Sequence, residues 1–317
     1  MPFPDLWPDQ VVSYRSDAVC PADFDAFWAA TLAEVRGFNL GAALTPVAGL
    51  PVFDCHDVRF AGFGGHEVRA WLIAPKAGAR DCVVKFIGYG GGRSFLHEHL
   101  FWPATGRAVL VMDTRGQGGN WSPGVTADPV GSEPSQPGFM TKGIGAPETY
   151  YYRRVFSDAV RAVEVARGLP GIERVAVCGG SQGGGISLAV AGLVPGLLGV
   201  MPDVPYLCDF VRSLGVASRD PYLEIRRYLA VYRDTEARVL QTLGYFDGVH
   251  FAARATAPAL FSVALMDTIC PPSSVYAAFN AYGGAKEMAS YTYNDHEGGG
   301  PYQERRQMEW LAALDQG

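Results

Sequence analysis

From Cys82 onward the sequence alternates short apolar runs with stretches of helical periodicity, and this alternation limits the fold more than any other feature. The runs are Cys82–Ile87, Ala108–Met112, Arg174–Cys178, Leu197–Met201, Ala259–Ala264 and Ala289–Tyr293. Between them, Tyr152–Arg167 carries Val155, Ala159, Val163 and Ala166 on one face. Ile186–Leu193, Ser273–Tyr282 and Pro301–Leu314 also repeat at helical spacing. A strand apolar on both faces needs cover on both faces. The alternation therefore predicts an α/β fold: a mostly parallel central sheet with helices on both sides. Upstream, Val58–Phe60 and Val68–Ala74 flank Gly-Phe-Gly-Gly, a hairpin signal that adds antiparallel strands at one edge. Residues 1–18 read as a Pro-rich extended arm, and Phe24, Phe27, Trp28, Leu32 and Val35 predict a helix over Pro21–Arg36 ended by Gly37.

One segment breaks the rhythm. Between Asp203 and Pro258 a simple crossover needs only a short connection. The chain instead has a long stretch rich in charge and aromatics, including Tyr206, Phe210, Tyr222, Arg226, Tyr228, Tyr232 and Tyr245. It reads as a helical insertion at about 204–257, lying over the carboxyl ends of the strands. Such a cap walls a pocket, makes a subunit contact, or does both. No internal repeat divides the chain, and residues 1–317 read as a single domain.

Composition narrows the function. Apolar residues make up 48% and charged residues 18%, which suits a large buried core. The net charge of −6 argues against nucleic acid, whose partners need a cationic surface. No apolar run approaches the roughly 18 residues that span a membrane, and "MPFPDLWPDQ" has no signal-peptide pattern. The six cysteines are scattered without a Cys-x-x-Cys pair. Buried free thiols in a reducing cytoplasm are the expectation, with no disulfide and no metal site.

The stretch "RVAVCGGSQGGGISLAV" places Gly-Gly-Ser-Gln-Gly-Gly-Gly between a strand and a helix. Phosphate-cradling readings fail on register. A P-loop needs Lys where Gly185 stands, and a dinucleotide loop needs glycines where Ser181 or Leu188 stands. The residues Gly179-Gly180-Ser181-Gln182-Gly183 do satisfy G-x-S-x-G, a strained turn that exposes a serine nucleophile. Downstream, the run Ala259–Ala264 leads to Asp267, and Ala289–Tyr293 leads to His296. Both follow the serine in the chain order this motif requires, so Ser181, Asp267 and His296 are the candidate triad. Gln182 N–H is one candidate oxyanion donor, and Tyr89 N–H, in Gly88-Tyr89-Gly90-Gly91-Gly92 after a strand, is the other. The Tyr89 ring and Tyr206 are candidate substrate contacts.

Each residue also has a structural reading. Ser181 can cap a helix, Asp267 can cap the helix near Pro271-Pro272, and His296 can be a loop residue. Asp203 and Asp295 compete for the acid, but the first ends an earlier strand and the second adjoins His296. For Arg115 and Gln117 the reading is structural: a buried ion pair and hydrogen bonds to neighbouring backbone.

With these residues placed, the sequence resembles the acetyl xylan esterase/cephalosporin C deacetylase family, carbohydrate esterase family 7. The resemblance is carried by Arg115–Gly118, Gly179–Gly183 and His296-Glu297, and by "YYYRRVFSDAVRA", "YFDGVHFAARA" and "MDTICPPSSVYAA". It implies an α/β-hydrolase fold and cofactor-free hydrolysis of small acetyl esters, among them acetylated xylo-oligosaccharides and cephalosporin C. It also implies Ser181, Asp267 and His296 as triad, Tyr89 and Gln182 as oxyanion donors, a cytoplasmic location and a hexamer whose contacts use the insertion. Two other readings stay open on the residues alone: a catalytically silent scaffold used for binding, and a hydrolase of peptide or carbon–carbon bonds.

Overall fold

The computed structural model describes residues 3–131 and 133–315. Its described strands form one sheet in the order β1-β2-β3-β5-β4-β6-β7-β8-β9. They are β1 Ala43–Pro46, β2 Phe53–Ala61, β3 Glu67–Pro75, β4 Asp81–Lys85, β5 Ala108–Met112, β6 Arg174–Gly180, β7 Val200–Asp203, β8 Ala259–Ala264 and β9 Lys286–Tyr291. Pairs β1/β2, β2/β3 and β3/β5 are antiparallel. Every pair from β5/β4 to β8/β9 is parallel. The mostly parallel sheet with an antiparallel edge is therefore present.

Alternation along the strands feeds two cores. Cys82 and Val84 of β4, with Phe86 just beyond, join a large cluster with helices Tyr151–Arg167 and Gln182–Leu193. Val83 and Ile87 join a smaller cluster with Trp102 and Leu311 of the last helix, Gly300–Ala313. Every residue of β5 and β8 is buried, as strands covered on both faces require.

Several boundaries differ from the sequence expectation. β1 was not anticipated; all its residues are exposed, so it carries no apolar alternation. The strand expected at Leu197–Met201 runs from Val200 to Asp203, because Leu197 and Leu198 pack before the ladder begins. The last strand starts at Lys286 and ends at Tyr291, earlier than Ala289–Tyr293. It is an edge strand, and polar Lys286 and Glu287 pair with β8 there without needing burial. The helix after Ser181 begins at Gln182, not Ile186, since its first turn is glycine and carries no periodic signal. The arm contains a short helix, Pro8–Val11; Met1 and Pro2 lie outside the described residues.

The 204–257 segment is helical as expected, with helices Phe210–Val216, Tyr222–Val231, Glu236–Gly244 and Gly248–Ala252. No helix among the described residues is long and apolar enough to cross a membrane.

Candidate active site

The turn at Ser181 is built by exclusion of side chains. Ser181 has φ 56° and ψ −120°, a backbone state that costs a non-glycine residue on the order of 1–3 kcal/mol. Neighbouring backbone holds it there. Ser181 N–H donates to Asp203 O at 2.9 Å, and Ser181 O accepts from Tyr206 N at 2.9 Å and Gly185 N at 3.0 Å. A Cβ on Gly183 would stand 2.3 Å from Phe86 O, and one on Gly185 would stand 2.2 Å from Tyr206 O. Glycine is thus what lets the helix approach the sheet. Gly180 differs, since a Cβ there would meet nothing within 4 Å. Accordingly, Gly183→Ala is expected to lower stability by about 1–3 kcal/mol in urea unfolding, and Gly180→Ala by less than about 0.5 kcal/mol.

The acid and histidine arrive from adjacent strand ends. Asp267 follows β8 and is buried, with Oδ1 accepting from Ile269 N at 2.8 Å and Cys270 N at 3.0 Å. Its Oδ2 lies 2.8 Å from His296 Nδ1, beyond β9. That contact assigns the imidazole proton to Nδ1 and leaves Nε2 as the basic nitrogen. Ser181 and His296 line the same cleft. The Ser181 hydroxyl contacts Cys270 Sγ at 4.0 Å and is not hydrogen-bonded to the imidazole in this rotamer. Such bonds are often long before substrate binds.

Asp267, Cys270 and His296 also offer ligand atoms within 4.8 Å of one another, the one such group among the described residues. Asp267 already accepts three N–H bonds, and burial, aided by Asp267, holds the Cys270 thiol protonated. The donor set fits an oriented acid–base pair better than a metal ion.

The two candidate oxyanion donors are held by one network. Gln182 N–H opens the helix and Tyr89 N–H lies in the Gly-rich loop. Among the described residues, neither is used within the chain. Gln117 Oε1 accepts from Gly90 N at 2.7 Å, and its Nε2 donates to Gln182 Oε1 at 2.8 Å. Gln117 therefore joins the glycine loop to the nucleophile turn. Arg115 makes a buried two-pronged pair with Asp158 at 2.6 and 2.7 Å, with Asp128 at 3.5 Å. The structural reading of Arg115 and Gln117 holds.

Two cleft-lining neighbours of Tyr89, Glu224 and Trp121, gave no sequence signal. The Tyr89 hydroxyl donates to Glu224, with both carboxylate oxygens at 2.8 Å, and accepts from Phe139 N at 2.8 Å. Burial, reinforced by Glu224, pushes this phenol well above its ordinary pKa. Trp121 donates its indole N–H to Tyr89 O at 2.8 Å and stays 61% exposed at the cleft. Both contacts span distant parts of the chain, where local periodicity carries no information.

Tyr206 is a correction. Its ring is fully buried, 4.2 Å from Tyr222 and 6.4 Å from Tyr89, and it does not line the cleft. The chain turns back to Ser181 through Tyr206 N, which sends the side chain into the core behind the turn. Tyr89 does line the cleft, which has a volume of about 740 Å³.

Residues 1–314 match the acetyl xylan esterase (AXE1) family. The chain belongs to the acetyl xylan esterase family. That family consists of carboxylic ester hydrolases, and the fold is the α/β-hydrolase fold. The chain is 35% identical to an acetyl xylan esterase from Paenibacillus sp. R4, with TM-score 0.91 over 97% of this chain and 99% of that one. It is 29% identical to acetyl xylan esterase 1 from Thermoanaerobacterium sp. JW/SL YS485, with TM-score 0.89 over 98% and 99%. Acetyl esterase Axe7A of Xylanibacter ruminicola is 28% identical over 283 residues, which cover 87% of this chain and 63% of that protein. The chain thus spans less than two thirds of that curated relative.

Proposed function

We propose that this acetyl xylan esterase family member is a serine esterase that removes acetyl groups from small acetylated sugars. One observation carries the reading: a serine in a strained turn at a helix N-terminus shares a cleft with a histidine whose Nδ1 is 2.8 Å from a buried aspartate. Ser181 Oγ attacks the acetyl carbonyl while His296 Nε2 takes its proton. The N–H groups of Gln182 and Tyr89 stabilise the oxyanion, and the Gln182 end of the helix adds its dipole. His296 then gives the proton to the departing sugar oxygen. Water, deprotonated by the same nitrogen, attacks the acetyl-enzyme and releases acetate. Asp267 keeps Nε2 basic throughout.

Pro221 and Ile269 line the cleft and would receive the acetyl methyl. Acylated xylo-oligosaccharides and cephalosporin C, assayed beside esters of longer acids, test this reading. The expected result is a fall in kcat/KM of at least about tenfold from acetyl to butyryl on one alcohol. Equal rates on octanoyl esters would overturn it.

The family likeness further supports a cytoplasmic homo-oligomer, a hexamer, that acts without cofactor, metal, nucleic acid or membrane. Val211, Val231 and Tyr232, exposed on and beside the insertion helices, offer apolar contact area for assembly.

A further inference from the structure

The cleft has a polar wall that the mechanism above leaves unused. Neighbouring strands deliver it. Lys85 at the end of β4 is in register with Cys178, and Asp203 at the end of β7 is in register with Gly180. Strand alternation puts these positions on the face of Val83, Met201 and Cys178, under the last helix. Gly180 contributes no side chain, and the space where its Cβ would stand is open. A polar lobe therefore continues from the space over Ser181, with Lys85, His99, Asp203, Gln303 and Glu304 among its walls.

Hydrogen bonding in this lobe is unevenly used. The Asp203 carboxylate accepts from Gln303 Nε2 at 2.8 Å and from Gln307 Nε2 at 2.7 Å, one on each oxygen, and the Ser262 hydroxyl adds a third bond. A carboxylate has about four lone-pair sites, so acceptor capacity remains. Burial pushes its pKa up to about 7 against the lowering effect of these bonds. His99 Nε2 lies 2.7 Å from Arg93 O and donates to it, which leaves Nδ1 as an acceptor. Burial, with Lys85 nearby, lowers the His99 pKa to about 4, so the ring is neutral at pH 7.

Lys85 Nζ stands 3.5 Å from that Nδ1, and among the described residues it forms no ion pair with a carboxylate. A half-buried ammonium with three N–H donors thus has a single long partner. Glu304 is exposed on the last helix and also faces the lobe. Spare donors on Lys85 and spare acceptors on Asp203 and Glu304 match hydroxyl groups, which both donate and accept. An anion is a poorer match, because Glu98 and Glu304 already outnumber the one cation on these walls, and Asp203 adds to them when ionised.

We propose that this lobe is a leaving-group subsite: it takes a sugar ring of the acetylated substrate, with hydroxyls bound by Lys85 Nζ and by the carboxylates of Asp203 and Glu304. The inference rests on the acetyl-sugar reading above. Gly180 then has a function its packing does not explain, since it keeps the passage open beside the nucleophile.

The test compares kcat/KM for acetylated xylobiose with kcat/KM for 4-nitrophenyl acetate, in the parent protein, Lys85→Met and Glu304→Gln. Lys85→Met keeps the apolar stem and removes the donors. The sugar-to-aryl ratio is expected to fall about tenfold or more through the KM of the sugar, as for loss of a hydrogen bond to a charged group. Glu304→Gln, on the solvent face of a helix, is expected to lower the same ratio about threefold, and it gives the readout even where Lys85→Met does not fold. A ratio unchanged in both variants, or an equal loss on both substrates, would overturn the subsite. A parent protein that prefers ethyl acetate to acetylated xylobiose would instead overturn the sugar reading itself.

Discussion

Ser181→Ala is expected to lower kcat for acetyl ester hydrolysis by roughly 10⁶-fold, the scale seen when a triad nucleophile is removed. The substitution takes away the one atom that forms the acetyl-enzyme and leaves the backbone anchors of the turn, Ser181 N to Asp203 O and Tyr206 N to Ser181 O, in place. The fold should therefore survive, and urea unfolding should show no loss of stability. Relief of nothing but one hydroxyl is involved, because alanine at φ 56° is no freer than serine. Stopped-flow release of a chromogenic alcohol, with a serine-directed organophosphonate as label, measures the effect. Retained turnover above about 1% of the parent rate would remove Ser181 from the mechanism, since the oxyanion donors and binding alone supply only about 10³–10⁴-fold over water.

Asp267→Asn should be the next most damaging change, with kcat reduced about 10⁴-fold. The reason is in the hydrogen-bond directions. Asp267 Oδ1 accepts from the N–H groups of Ile269 and Cys270, so the amide oxygen of asparagine belongs there. The amide NH₂ then faces His296 Nδ1, where the carboxylate oxygen had accepted a proton. The imidazole must move its proton to Nε2. That nitrogen then presents N–H to Ser181 instead of a lone pair and cannot act as base. Recovery of much of the rate in Asp267→Asn would shift the acid to another carboxylate, with Asp203 and Asp295 the first to examine.

The sequence carried the site further than it carried the boundaries. G-x-S-x-G is legible because close backbone approach admits only glycine at Gly183, and that requirement is local. Asp267 and His296 were reachable because each lies just past an apolar run, at the carboxyl end of a strand. Strand ends were less legible. β9 begins with polar residues because an edge strand needs no burial there, and β1 is exposed throughout. Tyr206 was misplaced because an aromatic in an insertion reads alike whether it faces a cleft or the core. Only the turn back to Ser181 sends it inward.

By itself the sequence determined the layered α/β class, the serine turn and the order of its partners. Each follows from local patterns: alternation, periodicity and the absence of a side chain. Tertiary structure alone decided which distant groups meet. Gln117 joins the glycine loop to Gln182, Glu224 reaches Tyr89 across 135 positions, and Lys85 and Asp203 come to share one lobe. No local pattern encodes these meetings, because the order of strands in the sheet departs from their order in the chain, and that order sets which side chains share a wall.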